Sequence, residues 1–343
     1  TVTPDFTSGI DLSLVLTIAS GFVTWDAGVD GAWNVGSNWS SGVAPLITDD
    51  VSIGNFNITI TGGGNANTLV IGSGGSIELL SGTFTLATDS TLDGDFTLSG
   101  GTLNNGGVLT MNASNFDLNG GILLNGTITA IAGGSLTLSA NSTFDAVTLD
   151  TNLLIENNRT LNITNDLEFG ASAPTITLGG TGYGRITLLN NVSQSIGATG
   201  TGSIILNHAS SQVNDQGYSG HLHTIGQNVS ISGFGGVTAG AASSFFDNQG
   251  MISASVSGQT LSLTRVLNNT IGTLESINGA SLALNAGSLA NDGTINVGPA
   301  SFINTSNASL TNSLTGILQG SGTLNVGTGT FTNNGIVRPG GLN

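Results

Sequence analysis

The stretch FDNQGMIS (246–253) recurs in four altered forms along the rest of the chain: LNNTIGTLES (267–276), LANDGTINVG (289–298), LTNSLTGILQG (310–320) and FTNNGIVRPG (331–340). Each form has an apolar residue, an Asn, a short interval, a Gly, one further residue and then Ile, Leu or Val. The glycines of the five forms follow one another at spacings of 22, 21, 23 and 19: Gly250, Gly272, Gly293, Gly316 and Gly335. Related phrases near Asn105 and Asn119 extend the repetition toward the N-terminus. A self-similar period of this size indicates a repeat architecture.

Short alternating runs lie between these phrases, for example TLSLT (260–264), SLALN (281–285) and TLNVG (323–327). Alternation of apolar and polar residues is typical of β-strands. The Asn-Gly and Gly-Gly pairs are expected to supply the positive φ that tight corners need. A unit of this length with two or three short strands is one coil of a parallel β-helix. Roughly 14 such coils would form a rod about 65–70 Å long.

The predicted fold class is therefore all-β, a right-handed parallel β-helix (β-solenoid) with a Trp-rich N-terminal cap. A β-sandwich is the alternative. It tends to have longer strands and a large aromatic core, whereas aromatic residues are 5% of this chain. Residues 1–50 are predicted to form the cap or opening module, and residues 51–343 the β-helix repeats. Within the repeats, residues 171–245 are less regular, which predicts loop excursions from the rod.

The composition excludes several functions. Twenty acidic residues against four arginines and no lysine give a net charge of −16. Nucleic-acid binding requires neutralisation of phosphates by Lys and Arg, so no nucleic-acid partner is expected. The apolar-rich run at 12–23 is about half of the ~20 residues that a membrane helix needs, so no membrane insertion by this segment is expected. The absence of cysteine excludes disulfides and thiolate metal sites.

All three tryptophans, Trp25, Trp33 and Trp39, lie within fifteen residues of one another near the N-terminus. A solenoid end exposes its core and its unpaired strand edges, and it therefore needs a cap. The favoured interpretation is that the three indoles plug this end. An aromatic platform for sugar rings is the functional alternative.

His221 and His223 would share one face of a strand, and His208 and Asp215 approach them through a loop in the predicted arrangement. A metal site needs three or four converging ligands, and local geometry places only two. A solvated loop or a packed histidine is therefore the favoured interpretation, and metal binding is the alternative.

Carboxylates are paired at Asp49/Asp50, Asp93/Asp95 and Asp166/Glu168. Glycosidases use two carboxylates at a set separation, but these pairs fall on different coils and have no basic or aromatic partner nearby. The pairs are predicted to decorate turns. Asp93 and Asp95 flank a glycine and are the candidates for weak Ca²⁺ binding through oxygen ligands. No other cofactor is expected.

Thr-x-Thr runs begin at Thr59, Thr83, Thr127 and Thr175, at spacings near multiples of one coil. Threonines that satisfy strand edges are the simple interpretation. A flat threonine array that orders water, as in ice-binding proteins, is the alternative.

Two stretches resemble a known group of proteins. GILQGSGTLNVGTGTFTNNGIVRPGG (316–341) resembles the repeat that ends many passenger segments of autotransporter-like and haemagglutinin-like bacterial surface proteins. TWDAGVDGAWNVGSNWSSGVAPLITDDVSIG (24–54) resembles the Trp-rich opening module of β-strand-repeat surface proteins. The resemblance implies export, a β-solenoid fold and a role in surface adhesion or scaffolding.

The sequence thus predicts a non-enzymatic structural or adhesive rod module of a secreted or cell-surface fibrous protein. Its expected location is extracellular or on the cell surface. Its expected partners are a host or surface glycan or protein, or copies of itself. Two alternatives stay open: a carbohydrate-binding or carbohydrate-degrading β-helix, and a subunit of a self-polymerising extracellular filament or sheath.

Overall fold

The structure, a computed structural model, describes residues 21–285 and 289–340. Within these ranges it contains 39 β-strands and one short 3-10 helix, Gly36–Asn38. Among the described residues no helix is long and apolar enough to cross a membrane. The predicted cap includes residues 1–20, which lie outside the described ranges.

The strands are short and follow one another at intervals of a few residues. The first thirteen are β1 (Val23–Thr24), β2 (Gly31–Ala32), β3 (Asp50–Ile53), β4 (Asn57–Ile60), β5 (Gly64–Ala66), β6 (Thr68–Ile71), β7 (Ser76–Leu79), β8 (Thr83–Leu86), β9 (Ser90–Leu92), β10 (Asp95–Leu98), β11 (Thr102–Asn105), β12 (Val108–Asn112) and β13 (Asn115–Leu118). The next thirteen are β14 (Ile122–Leu124), β15 (Thr127–Ile131), β16 (Ser135–Leu138), β17 (Ser142–Asp150), β18 (Leu153–Ile155), β19 (Arg159–Phe169), β20 (Thr175–Leu178), β21 (Gly184–Leu188), β22 (Ser195–Ile196), β23 (Gly202–Asp215), β24 (Leu222–Ile225), β25 (Val229–Thr238) and β26 (Phe245–Asn248). The last thirteen are β27 (Met251–Ala254), β28 (Thr260–Thr264), β29 (Val266–Asn268), β30 (Thr273–Ser276), β31 (Ser281–Asn285), β32 (Leu289–Asn291), β33 (Thr294–Val297), β34 (Phe302–Asn304), β35 (Leu310–Asn312), β36 (Ile317–Gly320), β37 (Thr323–Asn325), β38 (Phe331–Asn333) and β39 (Ile336–Pro339).

The strands pair in parallel with those of the coils before and after, so the chain winds around three faces. Face 1 contains β1, β3, β6, β9, β12, β15, the second halves of β17 and β19, β22, β24, β26, β29, β32, β35 and β38. Face 2 contains β2, β4, β7, β10, β13, β16, β18, β20, the first halves of β23 and β25, β27, β30, β33, β36 and β39. Face 3 contains β5, β8, β11, β14, the first halves of β17 and β19, β21, the second halves of β23 and β25, β28, β31, β34 and β37.

The predicted parallel β-solenoid is confirmed, with about 14 turns. Asn268, Asn291, Asn312 and Asn333 pair in succession on face 1, so the chain advances by 23, 21 and 21 positions from each to the next. Two middle coils are longer: Leu167 pairs with Ile196 and Ile196 with Ile225, each 29 positions further along the chain. They fall in the region whose sequence is least regular. The right-handed sense of the coil, which strand chirality favours, stays a prediction.

Alternation along each strand places one set of side chains inside the coil. In β7, for example, Ile77 and Leu79 are buried while Ser76 and Glu78 are partly exposed. Each inward Leu, Ile, Val or Phe packs on its counterparts in the neighbouring coils, and full burial of such a side chain contributes about 1.5–3 kcal/mol. The core is therefore a continuous column along the rod.

The prediction that corner glycines supply a positive φ holds for some of them but not for the five repeat glycines. Gly120 and Gly121 do have positive φ, at 116° and 74°. The five repeat glycines are not among the residues with positive φ. They are needed because the chain approaches the preceding coil: a Cβ on Gly293 would lie 2.2 Å from the carbonyl oxygens of Asn269 and Gly272. The repeat glycine thus permits close coil stacking rather than an unusual backbone angle.

Candidate functional site

The three tryptophans form one cluster inside the first coil. Trp39 lies between the other two, with ring centroids 4.9 Å from Trp25 and 4.7 Å from Trp33, both edge-to-face. Trp33 continues the contact to Phe84 at 4.8 Å, so the cluster joins the solenoid core. The indoles are at most 6% exposed. A sugar platform needs an exposed ring face, and this arrangement offers none, so it favours the packing role.

Acidic and amide side chains at the corners accept hydrogen bonds from the next coil. Asp95 Oδ1 accepts from the backbone N–H of Asn115 at 2.8 Å. Asp93 Oδ1 accepts from the Nδ2 of Asn112 at 2.6 Å. Asp50 Oδ1 accepts from Asn67 and Thr68 in the same manner, at 2.8 and 3.0 Å. These contacts give the carboxylates a structural role in holding successive corners together.

Asp166 and Glu168 also accept hydrogen bonds from the next coil, across one of the longer coils. Asp166 Oδ1 accepts from the backbone N–H of Ser195 at 2.5 Å. Glu168 accepts from the backbone N–H groups of Thr199 and Gly200, at 3.1 and 2.8 Å. Burial alone would raise the pKa of Glu168, but these backbone donors and that of Phe169 together lower the pKa below its ordinary value. Glu168 is therefore held ionised, which suits an acceptor rather than a general acid.

The histidines separate into two environments. His223 points into the rod and is 1% exposed; its Nε2 lies 3.6 Å from Asp215 Oδ2, and its Nδ1 accepts the backbone N–H of Gln194 at 3.2 Å. His221 lies at the surface, where its Nε2 is 2.8 Å from Asn191 Oδ1. His208 Nδ1 accepts from the backbone N–H of Ser210 at 3.0 Å, within β23 where the pairing with β25 is interrupted between Asn207 and Gln212.

Burial lowers the pKa of His223, and the charge of Asp215 opposes this shift only in part. His223 is thus a packed, neutral imidazole with one carboxylate neighbour. Throughout the described part of the chain, no group of three or more His, Asp or Glu side chains is placed to hold a metal ion.

A buried asparagine column is the polar feature that the sequence did not reveal. Four successive asparagines each donate a hydrogen bond from Nδ2 to the Oδ1 of the asparagine in the next coil. The pairs are Asn248 to Asn268 at 2.9 Å, Asn268 to Asn291 at 2.6 Å, Asn291 to Asn312 at 2.7 Å and Asn312 to Asn333 at 2.8 Å. The first four members are at most 2% exposed. The repeat phrase contained the signal: Phe246 is inward, so strand alternation turns Asn248 inward as well.

The Thr-x-Thr runs do not stack on one another. Thr59 and Thr175 lie on face 2, Thr83 on face 3 and Thr127 on face 1. Spacing close to a multiple of the coil length is insufficient to align residues, because coil length varies and each coil has three faces. These four runs therefore form no single array.

A shallow groove of about 440 Å³ lies on face 2. Its lining is uncharged and contains no aromatic side chain: Gly134, Ser135, Leu136, Thr151, Asn152, Leu153, Leu154, Thr175 and Thr177. It therefore lacks the ring faces and paired carboxylates with which proteins bind and cleave sugars.

Comparison with known proteins gives no match to a family model, to a curated protein or to a solved structure.

Proposed function

We propose that the chain is a structural rod module of a secreted or cell-surface fibrous protein, and that it acts by contact rather than by catalysis. The observation that carries the proposal is the unbroken parallel pairing from β1 to β39, which turns the described chain into one stiff column of stacked coils. Each coil contacts only its neighbours, so the stacked coils form a rod of defined length and shape.

The use of the ionisable groups supports the same role. The carboxylates of Asp93, Asp95 and Asp166 accept hydrogen bonds from the next coil, and His223 is packed in the interior. These contacts stabilise the rod. The resemblance of residues 24–54 and 316–341 to bacterial surface proteins favours an extracellular location for it.

The test is a surface-contact assay with the full chain. Beads coated with the protein are applied to arrays of polysaccharides and of extracellular surface proteins, and released reducing sugar is measured in the same samples. The expected result is retention of the beads on at least one surface without sugar release. A heat-unfolded sample is the control and should lose retention. Steady release of reducing ends, or equal retention by the unfolded control, would overturn the proposal.

A further inference from the structure

The charges of the rod are divided unequally among its three faces. The strands of face 1 contain five acids, Asp50, Asp150, Asp166, Glu168 and Asp247, and no basic residue. Those of face 2 contain four acids and one arginine: Glu78, Asp95, Asp117, Glu275 and Arg338. Those of face 3 contain two acids and two arginines, so that their formal charges cancel: Asp145, Asp215, Arg159 and Arg185.

Three of the four charged side chains on face 3 have partners within the chain. Asp215 is 5% exposed and points toward His223 in the interior. Asp145 accepts a hydrogen bond from the Nδ2 of Asn165 at 2.7 Å. The guanidinium of Arg185 lies 4.4 Å from the ring centroid of Tyr183, which holds this cation against the surface.

A column of uncharged residues runs along face 3, one from each of ten successive coils. The register aligns them in the order Thr83, Thr102, Ile122, Thr143, Asn162, Thr187, Asn214, Thr238, Thr264 and Asn285. All are partly or fully exposed. Their spacing is that of adjacent strands, about 4.8 Å. We name these ten residues the face 3 column.

We propose that face 3 packs against face 3 of a second copy of this chain. This inference rests on the proposed rod function and names the surface through which rods associate side by side. The net charge of −16 repels a second copy, and that repulsion is strongest where faces 1 and 2 present their acids. Face 3 is the face on which two copies meet with the fewest opposing carboxylates.

The geometry of the column suits a symmetric contact. The column is aligned by the strand register, although its place within the strands changes: it is the first residue of β8 and β11, lies inside β19 and is the last residue of β28 and β31. A two-fold axis that lies over the column places the column against itself, whether the two rods run parallel or antiparallel. Methyl, hydroxyl and amide groups at one regular spacing then interdigitate, as in the dry contacts between paired sheets.

The area of face 3 is sufficient for a stable dimer. Thirteen strands, β5 to β37, contribute to the face. At ~4.8 Å per coil and ~3.3 Å per residue along a strand, the face measures about 60 Å by about 15 Å, or roughly 900 Å². Standard interfaces bury about 800 Å² on each partner.

The experiment is sedimentation of the full chain from about 1 μM to about 1 mM, a range that covers weak and moderate dimers. The expected result is reversible dimerisation that strengthens when salt rises from about 0.15 M to about 1 M, because screening removes the repulsion between acidic rods. A contact built from ion pairs would show the opposite salt dependence.

Two matched double variants locate the contact. Thr143→Glu with Thr238→Glu adds two charges to the face 3 column, and dimerisation should weaken at least about tenfold. Thr110→Glu with Thr311→Glu adds the same charge to half-buried threonines on face 1 and should leave dimerisation unchanged. Circular dichroism of all samples checks that the β-fold is retained.

If the wild-type chain stayed monomeric at every concentration and salt, the proposal would be overturned. Face 3 would then be assigned to another occupant, such as a neutral polysaccharide. Equal weakening by both double variants would overturn it as well. Neither result bears on the rod function, which the frictional ratio of the monomer tests separately: an elongated particle supports the rod, and a compact one contradicts it.

Discussion

At the scale of single residues, the buried asparagine column dominates the polar interior of the C-terminal coils. Asn291 is 1% exposed; its Nδ2 donates to Asn312 Oδ1 at 2.7 Å, and its Oδ1 accepts from Asn268 at 2.6 Å. A buried polar group left without its partner costs about 1–3 kcal/mol. Asn291→Ala orphans Asn312 Oδ1 and removes one acceptor of Asn268, so we expect a loss of about 2–4 kcal/mol in the free energy of unfolding.

Chemical denaturation measures this loss, and Asn296→Ala is its control. Asn296 lies in the same coil on the outward side of β33, where a substitution should change stability by less than about 0.5 kcal/mol. Equal stabilities of the two variants would show that the ladder hydrogen bonds contribute nothing net.

His223 makes the stability of the fold dependent on pH. Burial holds the pKa of His223 below its ordinary value of 6.5, against the charge of Asp215, while His221 nearby lowers it further. The unfolded chain therefore binds a proton near pH 6.5 that the folded chain does not. Stability should be constant above that pH and should fall as the pH decreases below it.

Thermal unfolding across this pH window tests the effect. His223→Gln removes the titrating group and should flatten the profile, whereas His221→Gln should retain most of the slope, because burial lowers the pKa of His223 more than His221 does. Glu168 titrates lower: its lowered pKa stabilises the fold at neutral pH, and that contribution is lost only as the pH falls below about 4.5. A slope that persists in His223→Gln would assign the effect to another group.

At the scale of the coil, the repeat glycine determines how closely one corner approaches the next. A Cβ on Gly293 would collide with two backbone carbonyls of the preceding coil, which flexible side chains cannot relieve. At Gly258 the φ is +70° and the space around a Cβ is open. Gly258→Ala should therefore cost about 1–2 kcal/mol from the backbone angle alone, and Gly293→Ala should cost more than about 3 kcal/mol because two coils must separate.

Comparison of the two unfolding curves separates the two uses of glycine. A similar cost for both variants would contradict the close-approach explanation and return the repeat glycine to a purely conformational role.

Sequence periodicity predicted the coils well because alternation and corner residues are local signals. It did not predict which corner a phrase occupies. The phrase at Asn105 leads from face 3 to face 1 and that at Asn119 from face 2 to face 3, whereas the five later copies lead from face 1 to face 2. Local turn chemistry is the same at all three corners, so only the register along the rod distinguishes them.

The side-chain contacts between coils could not be predicted from the sequence, for a related reason. Asp215 and His223 are close in the sequence, but they meet because the chain bends around one corner into the interior. Asp166 reaches Ser195 across one of the long middle coils, which the regular repeats gave no reason to expect. Because coil length varies, no fixed spacing in the sequence identifies such partners.

At the scale of the whole molecule, three continuous faces share one aliphatic core but differ in charge. Corner carboxylates bind the next coil's N–H groups along faces 1 and 2, so the negative charge is part of the structure there. On face 3, uncharged pairs also join successive coils, such as Thr187 Oγ1 to Asn214 Oδ1 at 3.0 Å. The same stacking of coils thus produces a rod whose faces 1 and 2 repel a second copy and whose face 3 contacts one.

Because each coil contacts only its neighbours, the rod should shorten without unfolding when whole coils are removed. Deletion of residues 269–312 joins Asn268 to Ser313 and removes two whole coils between asparagines that occupy the same register position. The spliced coil keeps its asparagine, and Ile317 takes the place of Thr273 on face 2. Small-angle scattering should show a maximum dimension reduced by about 10 Å with the β-fold retained. Deletion of 269–301 is the control: it removes one and a half coils, moves the inward residues out of register and should unfold the C-terminal part. If both deletions unfolded the chain equally, its stability would depend on contacts longer than one coil, contrary to the stacking that defines the rod.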